Sequence, residues 1–429
     1  MAHLVIVGAG AKAAAIAAKV SVLRGRVGYK VPKLTVLEKH DEVAPNWRGG
    51  TYGYTDGIQS LGTPPDKDVG FPYKFGESGF PVEVAQDLFR DFSWRAYQAF
   101  ELRQYHDWLD RNSPPPSHRD WANYLAWVFS KSGVVPVRGE LTSLEERSKK
   151  WGVYYQAQGK THTIDDVDGV VITGPGPAKN DHVTFPSGTN RIFDGATFWT
   201  APTTFQDVVE KVAPIIVIGS GETAASIVVK LIELTNGKQV AIHVVNRSGT
   251  IFSRGEGYFE NRMFTNPELW DGVDPKVRGE IVVRGDRGVI SPAAHDQISR
   301  CSRVAHVSCD VASIEMQTIP GGPSHATLPH AISTDGKRTL PAQYIVLATG
   351  FDPWWFAAKI TPGQVLMNKG VRDLVTSQIR PDLSISSEFS PAPIHVPMLA
   401  GIARGAGFPN LSCLGTLADR VLKPYVSPP

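Results

Sequence analysis

Cysteine is scarce in this chain. Its 429 residues hold only three, Cys301, Cys309 and Cys413, and none stands in a CxxC spacing. That excludes a disulfide framework, a zinc knuckle and a redox dithiol, and it fits a reducing compartment, so a cytoplasmic location is expected. No apolar run reaches the ~18 residues of a membrane span. No basic stretch precedes the apolar N-terminus, so a secretory signal is not predicted either. Charge of one sign is also missing: 44 Lys and Arg against 42 Asp and Glu leave +2. A nucleic-acid surface or a polybasic membrane patch therefore has no basis in the composition. What remains, 42% hydrophobic and 20% charged, is the balance of a globular chain of two or three domains.

One device is present twice. The chain opens with HLVIVGAGAKAAAIAAK (residues 3–19), and PIIVIGSGETAASIVVK follows at 214–230. In the first, the short apolar run Leu4–Val7 suits a parallel strand buried on both faces. Gly8-Ala9-Gly10-Ala11-Lys12-Ala13 then matches G-x-G-x-x-(G/A). Gly8 allows the tight turn, Gly10 lets a pyrophosphate approach the backbone, and Ala13 lets the helix lie close to the strand. The alanine-rich stretch that follows favours helix, whose free N–H groups and positive dipole end suit phosphate. A second apolar run, Leu34–Leu37, ends at Glu38, the expected partner of a ribose 2′-OH.

The second elbow, Gly219-Ser220-Gly221-Glu222-Thr223-Ala224, follows the strand Ile215–Ile218. Its next strand, Val240–Val245, ends not in an acid but in Asn246-Arg247-Ser248. A cation and a hydroxyl suit a 2′-phosphate, so Arg247 and Ser248 point to NADPH rather than NADH. Two elbows thus imply two dinucleotides, one with a free 2′-OH such as FAD and one 2′-phosphorylated, and together they imply an oxidoreductase.

Two further strands, GVVITGPG (169–176) and AQYIVLATGF (342–351), end in glycines and bracket the second elbow. Thr349 and Gly350 are expected to pass close to a nucleotide. The predicted fold is α/β, with two Rossmann-like dinucleotide-binding domains, one inserted in the other, and a small, mostly helical substrate region. The expected boundaries are 1–204 with 336–429 for the FAD and substrate domain and 205–335 for the NADPH domain.

Several long segments now carry a resemblance: GAGAKA, LGTPPDKDVGFPY, PPSHRDWANYLAWV, GSGETAAS, RGEGYFENRMF, DRGVIS and GFPNLSCLG. Nearly end to end, the chain resembles the class B flavin N-hydroxylating monooxygenases. Within that class it is similar to the lysine N6-hydroxylases of the mycobactin and nocobactin siderophore pathways. The resemblance implies FAD, NADPH and O2, a C4a-hydroperoxyflavin and an unprotonated side-chain amine of L-lysine or an N-acylated lysine. It also implies a dimer or tetramer. Lys67, in DKDVGFP, would meet the amino-acid carboxylate, and the family's upstream glutamine is matched to Gly62. Asn261, in GYFENRMF, would hydrogen-bond the substrate head group, its amide both donating and accepting. Asp286 stands where ornithine hydroxylases often carry an asparagine and would pair with the α-ammonium. Leu411 and Ser412 would lie near the flavin and the reacting amine, and Trp47 would wall the flavin. The resemblance implies no catalytic residue and no metal.

Rival readings are an L-ornithine N5-monooxygenase or another class B flavin monooxygenase acting on a different amine. A Baeyer–Villiger-type enzyme would carry F-x-G-x-x-x-H-x-x-x-W between the elbows, which is missing. A disulfide reductase would need CxxC. A silent nucleotide-binding regulator would not need GYFENRMF and DKDVGFP.

Overall fold

The computed structural model describes residues 1–428 apart from 53, 75–79, 211, 287, 319–326 and 362–363. Strand β1 (His3–Val7) runs into helix α1 (Ala11–Arg24), with Gly10 as its N-cap. Alanine, the best helix former, needs little room, so α1 is buried on nearly every side and packs against three neighbouring helices. Strand β2 (Lys33–Glu38) lies parallel to β1. After α2 (His118–Ser132), capped by Ser117 at one end and by Gly133 at φ +70 at the other, strand β3 (Val137–Arg138) extends the sheet beside β2. Strand β4 (Gly169–Ile172) closes the other flank of β1, and the short strand Ile394–His395 adds an edge. The order is thus Ile394–His395, β4, β1, β2, β3, all parallel.

The second half repeats this plan. Strands β5 (Ile192–Asp194), β6 (Ile215–Ile218), β7 (Ile242–Asn246), β8 (Val304–Ser308) and β9 (Tyr344–Leu347) form a parallel sheet in the order β5, β9, β6, β7, β8. Helix α3 (Glu222–Leu234) follows β6 as α1 follows β1, again with glycine, Gly221, as N-cap. Apolar clusters cover both faces of this sheet, as a parallel sheet requires.

Strand membership corrects the expected boundaries. β5 precedes residue 205 and β9 follows residue 335, yet both hydrogen-bond within the second sheet. We therefore place the second domain from ahead of Ile192 to beyond Leu347. β5 and β9 come from chain segments far from β6, the strand of the second elbow, so local sequence carries no mark of which sheet they join.

Between β7 and β8 lies a helical insertion that includes α4 (Tyr258–Thr265) and α5 (Pro275–Gly285). Phe264 and Trp270 of the insertion pack with Ala406 of the C-terminal segment. Antiparallel sheets, one built from strands within 140–167 and one from Val311–Thr318, Thr327–Ser333 and Thr339–Pro341, flank the two parallel ones. The first domain holds an aromatic cluster in which Trp94 contacts Trp121 (6.0 Å) and Tyr124 (5.4 Å), and Tyr97 contacts Trp127 (5.3 Å). Among the described residues no helix is long and apolar enough to cross a membrane.

Candidate functional site

A cleft of about 1050 Å³ opens between the two domains. The first elbow forms one end, with Gly8, Gly10 and Glu38 in its wall. Gly8 has φ +98, and a Cβ there would stand 2.6 Å from Thr173 Oγ1, so only glycine fits the turn. Gly10 has nothing within 4 Å of where its Cβ would be, so the helix N-terminus is bare to the cleft. Ala13 is fully buried against the sheet. Glu38 is buried, and its carboxylate accepts the Ala9 N–H (2.9 Å) and the His40 N–H (3.1 Å). Those bonds hold it across the mouth of the elbow. An open backbone, a fixed acid and a roomy cleft together fit the adenosine and pyrophosphate of FAD.

The second elbow is arranged differently. Gly219 has φ +137, and a Cβ there would meet the Ala348 carbonyl oxygen at 2.3 Å. Gly221 faces the Gly288 backbone nitrogen at 3.9 Å, measured from where its Cβ would be. Ala224 is buried, as Ala13 is. Arg247 and Ser248 are exposed at the end of β7, and the Ser248 N–H is turned back onto Asn246 Oδ1 (3.0 Å). Thr349 and Gly350 end β9, so they sit beside this elbow and not in the FAD domain where the boundaries had put them. The Thr349 hydroxyl donates to the Lys179 carbonyl. The elbow keeps its glycine turn, helix N-terminus and flanking cation, and these fit a 2′-phosphorylated dinucleotide.

Lys67 and Asn261 come together across the domain boundary. Lys67 Nζ donates to Asn261 Oδ1 at 2.9 Å, and Asn261 Nδ2 donates to the Glu256 carbonyl at 2.6 Å. Burial, with the Arg254 guanidinium second, lowers the Lys67 pKa. Lys67 keeps further N–H groups for a carboxylate. The next residue, Asp68, is fully buried and accepts from Gly70 N–H, Tyr73 O–H and Trp94 N–H (3.2, 2.7 and 2.8 Å), which anchors the segment. Desolvation pushes its pKa up to about 7.

Asp286, Asn410 and Leu411 line the cleft itself. Asn410 Nδ2 donates to Asp286 Oδ1 (3.2 Å), and Asn410 Oδ1 accepts the Ser412 N–H (2.9 Å). Asn410 thereby ties the insertion to the C-terminal segment. Trp47 lines the cleft and meets His118 edge-on at 5.2 Å. Among the described residues no group of His, Cys, Asp and Glu could hold a metal.

Sequence reasoning missed several wall residues. Gln59 lines this wall together with Gly62. Arg254 donates to the Gly62 carbonyl (2.8 Å) and pairs with Glu256 (2.6 Å). His118 shares a 2.7 Å hydrogen bond with Thr55, and burial lowers its pKa to about 4, so it is neutral at physiological pH. Trp355 lines the cleft with a buried indole N–H that has no partner among the described residues. A Gln or Arg in a loop carries no periodic signal, so nothing local marks these positions.

Comparison with known proteins decides the family. The chain is 35% identical to the L-lysine N6-monooxygenase MbtG of Mycolicibacterium paratuberculosis over 438 aligned positions, covering 100% of this chain and 96% of that one. The chain belongs to the L-lysine 6-monooxygenase/L-ornithine 5-monooxygenase family. Residues 87–284 match the family's own description. MbtG of Mycobacterium tuberculosis is 35% identical, with 98% and 94% covered. Among solved structures, the lysine monooxygenase NbtG of Nocardia farcinica is 30% identical, with a TM-score of 0.76 over 98% of this chain and 100% of that one. The ornithine N-hydroxylase KtzI of Kutzneria shares the fold, with a TM-score of 0.72, 16% identity and 99% of each chain covered. These monooxygenases share the two-domain plan described above.

Proposed function

We propose that this monooxygenase hydroxylates the side-chain amine of L-lysine, using FAD, NADPH and O2, for hydroxamate siderophore assembly. The observation that carries the reading is the pair of elbows facing one cleft, with Lys67 and Asn261 meeting where the domains join. The named homologues act on lysine. When bound, NADPH supplies a hydride and FAD supplies the ring that activates oxygen.

The chain's own residues have three tasks. The first is to bind the amino-acid end. Lys67 offers its N–H groups to the α-carboxylate, and Asn261 fixes the direction of Lys67. Asp286, oriented by Asn410, pairs with the α-ammonium. The second task is to keep the side-chain nitrogen neutral. Free lysine titrates near ~10.4, and an acid beside the amine would raise that value while an apolar wall lowers it. Asp286 therefore belongs at the α-carbon end, with Trp47 and Leu411 toward the amine. The third task is to exclude water, which Trp47, Phe351 and Trp355 serve by lining the cleft. On this reading the protein is cytoplasmic and a homo-oligomer.

The test is NADPH oxidation with hydroxylamine product measured side by side for L-lysine, L-ornithine and an N-acyl-lysine. Product from lysine with little from ornithine is expected; a preference for ornithine would overturn the substrate. Asp286→Asn should raise the lysine KM about tenfold, one charge-assisted bond, while flavin reduction keeps its rate. Equal loss of both would remove Asp286 from the substrate site.

A further inference from the structure

The two domains meet through a ladder of polar rungs along one face of α3. Glu222, Ser226 and Lys230 recur every four residues, so they form one stripe on the helix. The first-domain segment 56–62 runs beside that stripe. At the first rung Lys230 Nζ meets Asp56 Oδ2 at 3.2 Å, with the two side chains only 10% and 12% exposed. At the second, Gln59 Nε2 donates to the Ser226 carbonyl (2.9 Å), and the Ser226 hydroxyl donates to Gln59 Oε1. At the third, Arg254 donates to the Gly62 carbonyl (2.8 Å) and pairs with Glu222 (3.5 Å). Asp56 also accepts the Ile58 and Gln59 N–H groups (2.9 and 3.2 Å), which stiffens the segment from within.

The position of the ladder gives it a consequence. α3 starts at the second elbow, so its axis carries the dinucleotide seated there. Gln59 lines the cleft that begins at the first elbow. The rungs therefore join the helix of the electron donor to the wall of the electron acceptor, and they are directional. A sliding apolar contact would tolerate many angles, whereas hydrogen-bonded rungs tolerate few.

We propose that Asp56, Gln59, Ser226 and Lys230 are positioning residues that set the angle between the two nucleotide domains for hydride delivery. This rests on the reading that NADPH on the second elbow reduces FAD on the first. A misplacement of about 1 Å can cost on the order of 10²-fold in rate. Breaking two rungs should thus slow reduction without touching the oxygen half of the cycle.

The experiment is anaerobic reduction of the FAD-loaded enzyme by NADPH, followed by flavin absorbance, for wild type, Lys230→Met with Ser226→Ala, and Lys230→Arg. The double variant should be reduced roughly tenfold or more slowly. Its FAD content, its reduction by dithionite and its reoxidation by O2 should be unchanged. Lys230→Arg should restore the rate. Small-angle scattering of the double variant, with no dinucleotide added, should show a larger radius of gyration. If the double variant fails to fold, Ser226→Ala alone removes a single hydroxyl and should slow reduction in the same direction. Unchanged or faster reduction by NADPH would overturn the proposal. A wild type that NADPH does not reduce at all would overturn both the proposal and the reading beneath it.

Discussion

The two halves of the molecule share one strand plan and differ at its edge. Each has a central strand, a glycine elbow and a helix, with a parallel partner on either side. In the first half the elbow backbone is bare at Gly10 and a buried acid, Glu38, braces its mouth. In the second, Gly221 lies near the Gly288 loop and the strand ends in exposed Arg247 and Ser248. On the proposed reading the scaffold provides for a dinucleotide, and one or two residues at the end of the second strand select which one.

The sharpest way to break this symmetry is at the turn glycines. Gly8→Val would push a side chain into Thr173, and Gly219→Val into the Ala348 carbonyl, both at a positive φ that valine resists. Each should cost about 2–3 kcal/mol of stability. The first should yield colourless protein; the second should yield yellow protein that NADPH does not reduce. Absorbance at the flavin band and a thermal melt would check both. Yellow, NADPH-reducible Gly8→Val protein would refute the assignment of the first elbow.

Next in size is the site that draws one residue from each half. Lys67→Ala should raise the lysine KM on the order of 100-fold, as expected when a buried charge loses its partner, and should leave NADPH oxidation without lysine unchanged. Steady-state kinetics with and without substrate would show it.

Arg247 tests the other distinction. Arg247→Ala should lower the preference for NADPH over NADH by about tenfold, the worth of one exposed guanidinium–phosphate contact. The ratio of kcat/KM for the two nucleotides measures this, and an unchanged ratio would move the 2′-phosphate site elsewhere.

The last effect, absent at neutral pH, concerns stability in acid. His118 has a folded pKa of about 4, below the ordinary 6.5, because burial disfavours its charged form. As pH falls through 6.5 the unfolded chain takes up this proton first. His118 therefore costs stability between about pH 6.5 and 4 and is without effect above. His118→Gln should flatten that part of the melting-temperature profile. A profile with the wild-type slope would show that another group is responsible.

Much of this was legible locally. Strand, glycine turn and alanine-rich helix are contiguous, so both elbows and their flanking Glu38 and Arg247 could be read directly. The resemblance singled out Lys67 and Asn261, but not that one bonds the other across 194 positions. The sheet assignment of Ile192–Asp194 and Tyr344–Leu347 depends on partners far along the chain, and the boundaries were misplaced for that reason. Glu222, Ser226 and Lys230 are four residues apart on α3, but nothing was drawn from that spacing. Its meaning was not legible, because Asp56 and Gln59 lie in a loop without periodicity.

The aromatic cluster of the first domain makes the protein its own optical gauge. Eight of the ten indoles belong to the first half of the fold, and only Trp199 and Trp270 fall between β5 and β9. Ultraviolet-excited emission therefore comes mainly from one side of the cleft, close enough to a bound yellow chromophore to be drained by energy transfer. Loading of the first elbow should dim this glow, and occupancy of the second should barely disturb it.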